Sequence, residues 1–269
     1  MSSNIPEEYC RQKAAIAGTS FYYSTLYYPK NIKRDLNAIH AFAVELEELL
    51  VECTDPGVTR MKLGWWVEET QRLIANQARH PVTRELCNLK ERFPEAETVM
   101  LQLIRYHEQQ VNLESPENYQ VLMDFLRQGP GLIWKLTAKI CGTQHSHVLD
   151  IASTLGCQFA WFNIIQNTPV NLKHNRNYWP KDELSNVTEV RKDFFAFQLQ
   201  RLMKELDTGI EKLPDGDRTR QLHVLIMAQI ISRTCDEIAK SGYQINTEKI
   251  SLTPLRKFWI AWQIRRKNK

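Results

Sequence analysis

The chain has 269 residues, of which 43% are hydrophobic, and its 35 Lys and Arg against 31 Asp and Glu give a formal net charge of +4. This small net charge, without a recognisable nucleic-acid-binding motif, does not favour a nucleic-acid partner. No stretch reaches the roughly 18 uncharged apolar residues of a membrane-spanning helix. The N-terminus lacks the basic and apolar regions of a signal peptide, so a cytoplasmic location is expected.

Cysteine and histidine usage bears on the redox compartment and on metal sites. The six cysteines lie far apart without a CxxC pair, which predicts buried free thiols in a reducing compartment. The seven histidines are scattered, and His145 and His147 form the one close pair. A zinc site is therefore not expected.

Helical periodicity dominates the chain and predicts an all-α protein. From Asn31, just after Pro29, apolar residues at three- and four-residue steps predict a helix with one buried stripe, made of Ile32, Leu36, Ile39, Ala43, Leu46 and Leu50. Further helices are predicted at 59–75, 82–92, 95–110, 118–141, 148–166, 187–206 and 219–239. Turn signals separate them, but no linker or composition shift divides the chain, so a single domain over 1–269 is predicted.

Four glutamates lie in the segment AFAVELEELLVE, residues 41–52. At about 100° per residue, Glu45, Glu48 and Glu52 fall opposite the buried stripe and are expected to be solvated. Glu47 falls beside the stripe, at the edge of the core. Only one of the four acids is thus expected near the interior.

A second polar file occurs within residues 155–180. Asn163, Asn167 and Asn171 recur every four residues on a helix otherwise rich in aromatic and aliphatic side chains. Because asparagine is a poor helix former and buried amides need partners, the file predicts either a polar cavity lining or a bonded contact between helices. Pro169 is expected to kink or end this helix before Asn171.

The C-terminal segment predicts a last helix, capped by Ser251 or Thr253 and with Pro254 in its first turn. This helix mixes aromatic with basic residues. Two interpretations stay open: an aromatic face that packs on the body, or a surface at residues 254–267 that touches anionic lipid head groups.

Three segments together resemble the squalene and phytoene synthase family. They are SFYYSTLYYPKNIKRDLNAIHAFAVELEELLVE at 20–52, RNYWP at 176–180 and SLTPLRKFWIAW at 251–262. The resemblance covers essentially the whole chain and implies an isoprenoid-synthase fold, a helical bundle around a central cavity. Family enzymes join two prenyl diphosphates head to head, and two acid-rich motifs on facing helices hold the Mg²⁺ ions that grip the diphosphate.

The chain departs from the family pattern at its principal acids. The first motif's acids correspond to Glu47 and Val51, with Glu48 matching a further acid, and the second motif's acids correspond to Asn167 and Asn171. If each lost ligand costs about 3 kcal/mol of transition-state stabilisation, three losses could erase the metal-dependent step. No metal or other cofactor is therefore expected. Mg²⁺ is expected only if the chain is catalytically active, with Glu47 and Glu48 as its ligands.

Other positions match the substrate-binding side of the family pattern. They are Ser20, Phe21, Lys33, Arg34, Arg176 and Tyr178. The resemblance assigns Arg34 and Arg176 to the diphosphate, whereas Ser20 is also explained as a helix cap and Lys33 as a solvated side chain. Trp134 stands where the synthases carry glycine, and so large a ring is expected to shorten or fill the prenyl tunnel.

Within the family, the segments AFAVEL, TRMKLGWWVEE and HPVTREL are similar to the phytoene-synthase-like assembly factor of mitochondrial respiratory complex I and its bacterial relatives. The sequence therefore predicts a non-catalytic protein that binds an isoprenoid or other lipid, or assists respiratory-complex assembly, at an inner membrane face. The alternative is an active prenyltransferase or prenyl diphosphate phosphatase that uses Glu47, Glu48 and Arg176. A third hypothesis is a helical scaffold whose cavity has filled in.

Overall fold

The computed structural model describes residues 5–53, 55–111, 113–184, 192–243 and 249–268. These residues form helices and no strand, which confirms the all-α prediction. The first six helices are α1 Ile5–Ala14, α2 Ser20–Ser24, α3 Lys30–Glu52, α4 Pro56–Ile74, α5 Pro81–Arg92 and α6 Glu95–Gln110. The others are α7 Tyr119–Arg127, α8 Pro130–Ile140, α9 Ser146–Gln166, α10 Thr168–Lys173, α11 Lys181–Leu184, α12 Lys192–Glu211, α13 Asp215–Arg218, α14 Leu222–Lys240 and α15 Pro254–Lys267.

Two compact units divide the chain, unit 1 from Met1 to Asn112 and unit 2 from Leu113 to Lys269. Each unit has its own long central helix, α3 in unit 1 and α9 in unit 2, which contacts at least four other helices of the same unit. The single domain predicted over 1–269 is not tested by this division and stays a prediction.

Helix α3 is the centre of unit 1 and contacts α1, α4, α5 and α6. Pro29 stands at its N-cap, as predicted. Leu36, Ile39 and Leu46 of the predicted stripe are fully buried. The three- and four-residue spacing therefore identified the face of this helix that forms the core.

The periodicity does not predict α1, although this helix has ordinary end signals. Glu7 and Glu8 lie in its first turn and Arg11 and Lys13 in its last, which suits the helix dipole. It packs on α3 and α5 through a surface that buries Cys10. As a result α1 covers a flank of α3 that the sequence alone assigned to solvent.

Glu69 of α4 is fully buried and caps the start of α5. One carboxylate oxygen accepts hydrogen bonds from the backbone N–H groups of Arg79 (2.7 Å) and His80 (2.8 Å) and from the Thr83 hydroxyl (2.6 Å), and Arg72 binds the other oxygen at 3.0 Å. Burial by itself would raise the pKa of Glu69, but these hydrogen bonds lower it to about 2. The α4–α5 corner thus depends on an ionised carboxylate.

In unit 2, α9 contacts α7, α8, α12 and α14. Within the described ranges it alone is long and apolar enough to cross a membrane by composition, and 61% of that stretch is buried inside the protein. Trp161 in its C-terminal half is fully buried. The apolar composition of α9 is thus explained in large part by packing.

The single helix predicted over 118–141 is wrong, because α7 ends at Arg127 and α8 begins at Pro130. Gly129 between them has φ −120° and ψ −91°, outside the helical region. A proline inside a helix lacks the N–H for the ladder, so Pro130 is placed in a first turn instead. The predicted helix over 187–206 is observed as α12, and its residues 187–191 lie outside the described ranges.

All six cysteines are free thiols. Cys10, Cys141, Cys157 and Cys235 are buried, as predicted, while the other two are only half-buried. Burial raises the pKa of Cys235 to about 12. A thiol of that kind is protonated at neutral pH and is a poor nucleophile.

Candidate functional site

The acidic segment of α3 is partly covered by α1. Lys13 Nζ lies 3.2 Å from Glu45 Oε1 and also pairs with Glu48, and the Tyr9 hydroxyl donates to Glu45 at 2.6 Å. Burial and the bond to Glu45 together raise the pKa of Tyr9 to about 12. The expectation that Glu45 is solvated is wrong, since its side chain is only 14% exposed. Helical periodicity could not show that α1 packs on this flank.

The two family-motif positions on α3 face outward. Glu47, expected at the edge of the core, is exposed, and Val51 one turn later is 50% exposed. The hydrocarbon of Val51 offers no oxygen, and Glu48 is engaged by Lys13. No three His, Cys, Asp or Glu side chains come together as a metal-binding group in the ranges that the structure describes. These donors do not fit Mg²⁺, which prefers an octahedral shell of oxygen ligands.

Ser20 and Phe21 begin α2. The N-cap of this helix is Thr19, whose Oγ1 accepts from the backbone N–H of Tyr22 at 3.2 Å, so the interpretation of Ser20 as the cap is wrong. The Phe21 ring packs on His40 of α3, with ring centroids 4.1 Å apart. Burial lowers the pKa of His40 to about 3, so this imidazole is neutral at physiological pH.

Arg34, assigned from the sequence to a diphosphate, is held by a carboxylate of its own unit. Its Nε donates to Glu85 Oε1 and its Nη2 lies 3.0 Å from Glu85 Oε2, a bidentate bridge from α3 to α5. The Glu85 side chain is only 3% exposed, and Glu7 lies 3.8 Å from Arg34 Nε. Hydrogen bonding to Glu85 raises the pKa of Arg34. The charge of Arg34 is therefore already compensated within unit 1.

The second family motif lies at the α9–α10 junction in unit 2. Asn167 is the C-cap residue of α9. The backbone N–H of Asn171 donates to the Asn167 carbonyl at 2.9 Å, so a helical hydrogen bond spans the break that was predicted at Pro169. Lys249 Nζ lies 3.4 Å from Asn167 Oδ1. Asn163, the first of the three, is exposed. The asparagine file thus has no single role: Asn167 contacts a lysine, and Asn171 lines a cleft.

That cleft contains the side chain of Arg176, which is only 6% exposed. Its lining residues are Ile164, Thr168, Asn171, Leu172, Arg176, Tyr178 and Trp179. Arg176 Nε is buried without a hydrogen-bond partner, and no carboxylate of the described chain forms an ion pair with this guanidinium. Burial lowers the pKa of Arg176. A buried cation without an acid is costly unless an anion joins it.

Local chain geometry fixes Arg176 in the cleft. Asn175 before it has a left-handed backbone, φ 54°, which asparagine tolerates, and the Arg176 N–H donates to the Asn171 carbonyl at 2.9 Å. After it, Tyr178 and Trp179 are buried. The tight turn and these aromatic anchors together hold the guanidinium in place.

Trp134 occupies space inside unit 2. Its ring packs edge-on against Phe159 (4.7 Å between centroids) and is stacked with His223 (5.6 Å). Gly156 of α9 makes room for it, since a Cβ there would lie 2.5 Å from the Trp134 Cβ. The ring fills the packing space among α8, α9 and α14.

Two lysines near the second motif were missed by the sequence reasoning. Lys249 contacts Asn167 across 82 positions of sequence. Lys257 of α15 is buried, and burial and the charge of Lys249 lower its pKa. Lys257 lies in the third segment that carries the family resemblance. This was the one signal in the sequence that could have identified it.

Helix α15 packs on α14 and buries Ile260 and Ala261. Its large apolar side chains are exposed instead and form the α15 aromatic face, defined by Leu255, Phe258, Trp259 and Trp262. The two indoles stack at 4.8 Å, and Arg266 lies 5.4 Å from the Trp262 ring centre. The interpretation that the aromatic face packs on the body is therefore wrong. Thr253, one of the two caps predicted, is the N-cap.

Comparison with known proteins gives the family. The squalene/phytoene synthase family model matches residues 15–257. A phytoene synthase of Mycobacterium tuberculosis is 22% identical over 260 residues, which cover 91% of this chain and 85% of that protein. The NADH dehydrogenase (ubiquinone) complex I assembly factor 6 of Mus musculus is 20% identical over 175 residues, which cover 65% of this chain and 53% of that protein.

Solved structures give the fold. A dehydrosqualene synthase in complex with a ligand superposes with a TM-score of 0.81 at 15% identity, covering 97% of this chain and 96% of that one. A squalene synthase from Alicyclobacillus acidocaldarius gives 0.73 at 18% identity, covering 88% and 94%. The predicted isoprenoid-synthase fold and the likeness to the assembly-factor branch are confirmed. The chain belongs to the squalene/phytoene synthase family.

Proposed function

We propose that this chain binds an isoprenoid or other lipid and does not condense prenyl diphosphates. One observation carries the proposal: within the described ranges no acid forms an ion pair with the buried Arg176 guanidinium, while the neighbouring motif positions are the neutral amides Asn167 and Asn171. An anion-binding group is thus retained beside a motif that has lost its metal-binding charge.

The physical argument concerns charge at the reacting centre. A departing diphosphate needs several positive charges held in a dry site, and family enzymes supply them as metal ions on carboxylates. Amide oxygens bring no negative charge to hold such ions, and Val51 brings no ligand at all. At about 1.36 kcal/mol per tenfold change in rate, the loss of even a few kcal/mol of transition-state stabilisation slows the reaction by orders of magnitude.

The alternative is an active prenyltransferase or prenyl diphosphate phosphatase. Its support is the exposed carboxylate of Glu47, together with Arg176. Glu48, the second acid that such an enzyme would use, is paired with Lys13. This pairing makes Glu48 a poorer ligand and favours the non-catalytic function.

Incubation of the purified protein with farnesyl or geranylgeranyl diphosphate and Mg²⁺ separates the two functions. We expect no condensed product and no released diphosphate above background, with the wild type equal to Glu47→Ala. Glu52→Ala, on the same exposed end of α3, is the matched control. Product that disappears in Glu47→Ala but persists in Glu52→Ala would establish the enzyme instead.

Mass spectrometry of lipid extracted from the native protein tests the binding function directly. A stoichiometric isoprenoid or acyl chain is the expected result. A protein that yields no lipid from its native host would favour the filled helical scaffold.

We infer further that the chain acts at an anionic membrane surface through residues 254–267. The support is the exposure of Trp259 and Trp262 beside Arg265 and Arg266, since indole rings and basic side chains suit the interfacial layer of a bilayer. A role in respiratory-complex assembly is part of the same proposal and is supported by the relative named as an assembly factor.

A further inference from the structure

Two histidines lie side by side at the start of α9, in unit 2. His145 is the N-cap residue of the helix, His147 is in its first turn, and their ring centroids are 5.8 Å apart. Both residues are exposed. We propose that their imidazoles bind one divalent transition-metal ion such as Zn²⁺, and that the buried carboxylate of Asp217 holds the His145 ring in the orientation for binding.

Asp217 fixes the tautomer of His145. Its carboxylate accepts from the Thr143 hydroxyl at 3.0 Å through Oδ1, and Oδ2 lies 3.0 Å from His145 Nδ1. Burial by itself would raise the pKa of Asp217, but the hydrogen bonds from His145 and Thr143 lower it, so the carboxylate is ionised at neutral pH. Because an ionised carboxylate only accepts, the ring proton lies on Nδ1 and Nε2 keeps its lone pair. The His145 side chain is 60% exposed, so an ion from solvent can reach it.

The arrangement of the two rings is compatible with a shared ion. Histidines that ligate metals usually donate their other ring N–H to a carboxylate, as His145 does. Two imidazoles whose nitrogens lie about 2.0–2.1 Å from one ion have ring centres about 5–6 Å apart, and the observed separation falls in this range. The ring planes are within 15° of each other, so one ring turns to direct its nitrogen at the ion. The exposed His147 side chain is free to make this rotation.

Imidazole ligands select the kind of ion. Zn²⁺, Cu²⁺ and Ni²⁺ bind imidazole nitrogen readily, whereas Mg²⁺ and Ca²⁺ prefer oxygen. No three His, Cys, Asp or Glu side chains form a metal-binding group in the part of unit 2 that the structure describes, so water completes the coordination shell. Arg220 lies 3.9 Å from Asp217 Oδ1 and offsets part of its negative charge. A weak, exchangeable site is therefore expected, in contrast to a structural zinc site with three or four protein ligands.

The histidine pair is separate from the family's magnesium motifs. Helix α9 has 21 residues, so its first turn lies about 30 Å along the helix axis from Asn167 at the other end. Its ligands are also of a different chemical type, imidazole in place of carboxylate. The loss of acids from the family motifs therefore has no bearing on this site.

The bond between Asp217 and His145 also has a purely structural explanation, since it ties the loop before α9 to the short helix α13. A tie of this kind needs His145 alone and gives His147 no role. A metal site needs both rings. His147 therefore separates the two explanations.

Competition with a chromogenic chelator, on protein that carries no affinity tag, measures Zn²⁺ binding. We expect one Zn²⁺ per chain, which an excess of Mg²⁺ does not displace. His147→Gln and Asp217→Asn should each weaken binding by about tenfold or more. His174→Gln, which removes a histidine at the C-cap of α10, is the matched control and should leave binding unchanged.

Electron paramagnetic resonance of bound Cu²⁺ counts the nitrogen ligands directly. Two nitrogens are expected in the wild type and one in His147→Gln. Zn²⁺ that binds His147→Gln as tightly as the wild type would overturn the inference, and so would a wild-type copper spectrum with a single nitrogen or an absence of Zn²⁺ binding at millimolar concentration. Because His147 is a surface residue, these outcomes do not depend on whether Asp217→Asn folds.

Discussion

In unit 1 the guanidinium of Arg34 lies in a bidentate bridge with Glu85, whereas in unit 2 the buried guanidinium of Arg176 forms no ion pair with a carboxylate in the part of the chain that the structure describes. A second bridge in unit 1 joins Arg92 to Asp35 at 2.5 and 2.8 Å. The role of an arginine at a family position therefore depends on whether an acid of the same protein pairs with it. The buried charges of these two pairs in unit 1 are thus compensated by acids of the same unit, whereas Arg176 Nε in unit 2 has no hydrogen-bond partner among the described residues.

Breaking the bridge in unit 1 should have the largest effect. Arg34→Gln leaves the Glu85 carboxylate buried without its partner, and because Arg34 is itself a third exposed, the expected loss is at the low end for buried pairs, about 3 kcal/mol of unfolding free energy. Urea denaturation measures this loss. Lys33→Gln, which removes the same charge from the adjacent residue, is the control. An equal loss of unfolding free energy in both variants would show that net charge matters more than the bridge.

Acid should weaken unit 1 through Glu69. Its pKa falls from 4.5 to about 2 on folding, so its stabilisation is complete above pH 4.5 and is lost as the pH falls toward 2. At 1.36 kcal/mol for each unit between the two pKa values, the contribution is about 3 kcal/mol. Glu69→Gln should flatten the decline in thermal stability over this interval, and an unchanged slope would remove Glu69 from the explanation.

Removing the buried charge of Arg176 in unit 2 should act in the opposite direction. Arg176→Gln ends the cost of burying a cation that no described carboxylate pairs with, so the ligand-free protein is expected to gain about 1 kcal/mol or to stay unchanged. Arg218→Gln is the contrast within the same unit, since Arg218 bonds the Ile210 and Leu213 carbonyls and its loss should destabilise. If Arg176→Gln destabilises as much, Arg176 is structural and the comparison between the units fails.

The smallest effect is expected at the α15 aromatic face. Arg266→Gln should weaken binding to anionic vesicles by about 1 kcal/mol, roughly fivefold, and salt should weaken wild-type binding. Vesicle co-sedimentation with Lys240→Gln as the control measures both. Equally tight binding to neutral vesicles would count against charge recognition by this helix.

The sequence predicted what depends on local pattern. The buried stripe of α3, the break at Pro169 and the Thr253 cap all follow from spacing and from helix-end chemistry, and all are observed. The failure over 118–141 is of the same local kind, because Gly129 and Pro130 are themselves signals that one helix ends and the next begins. Local rules therefore account for most of the helices.

What the sequence could not give depends on contacts between distant segments. Helical periodicity cannot show that α1 covers Glu45, and the Asn167–Lys249 contact joins residues 82 positions apart. The family resemblance identified Arg34 and Arg176 alike, and only their surroundings separate them. The residues of the candidate site could be named from the sequence, but whether an acid pairs with each arginine could not.

The ion pairs of α1 also govern how the chain tolerates shortening. Lys13 is the cation beside both Glu45 and Glu48, so a protein trimmed past this residue would expose two uncompensated carboxylates on α3. Such a fragment would present an acidic patch that Lys13 neutralises in the intact protein. Any affinity for calcium or magnesium measured on it would reflect the cut and not the native protein.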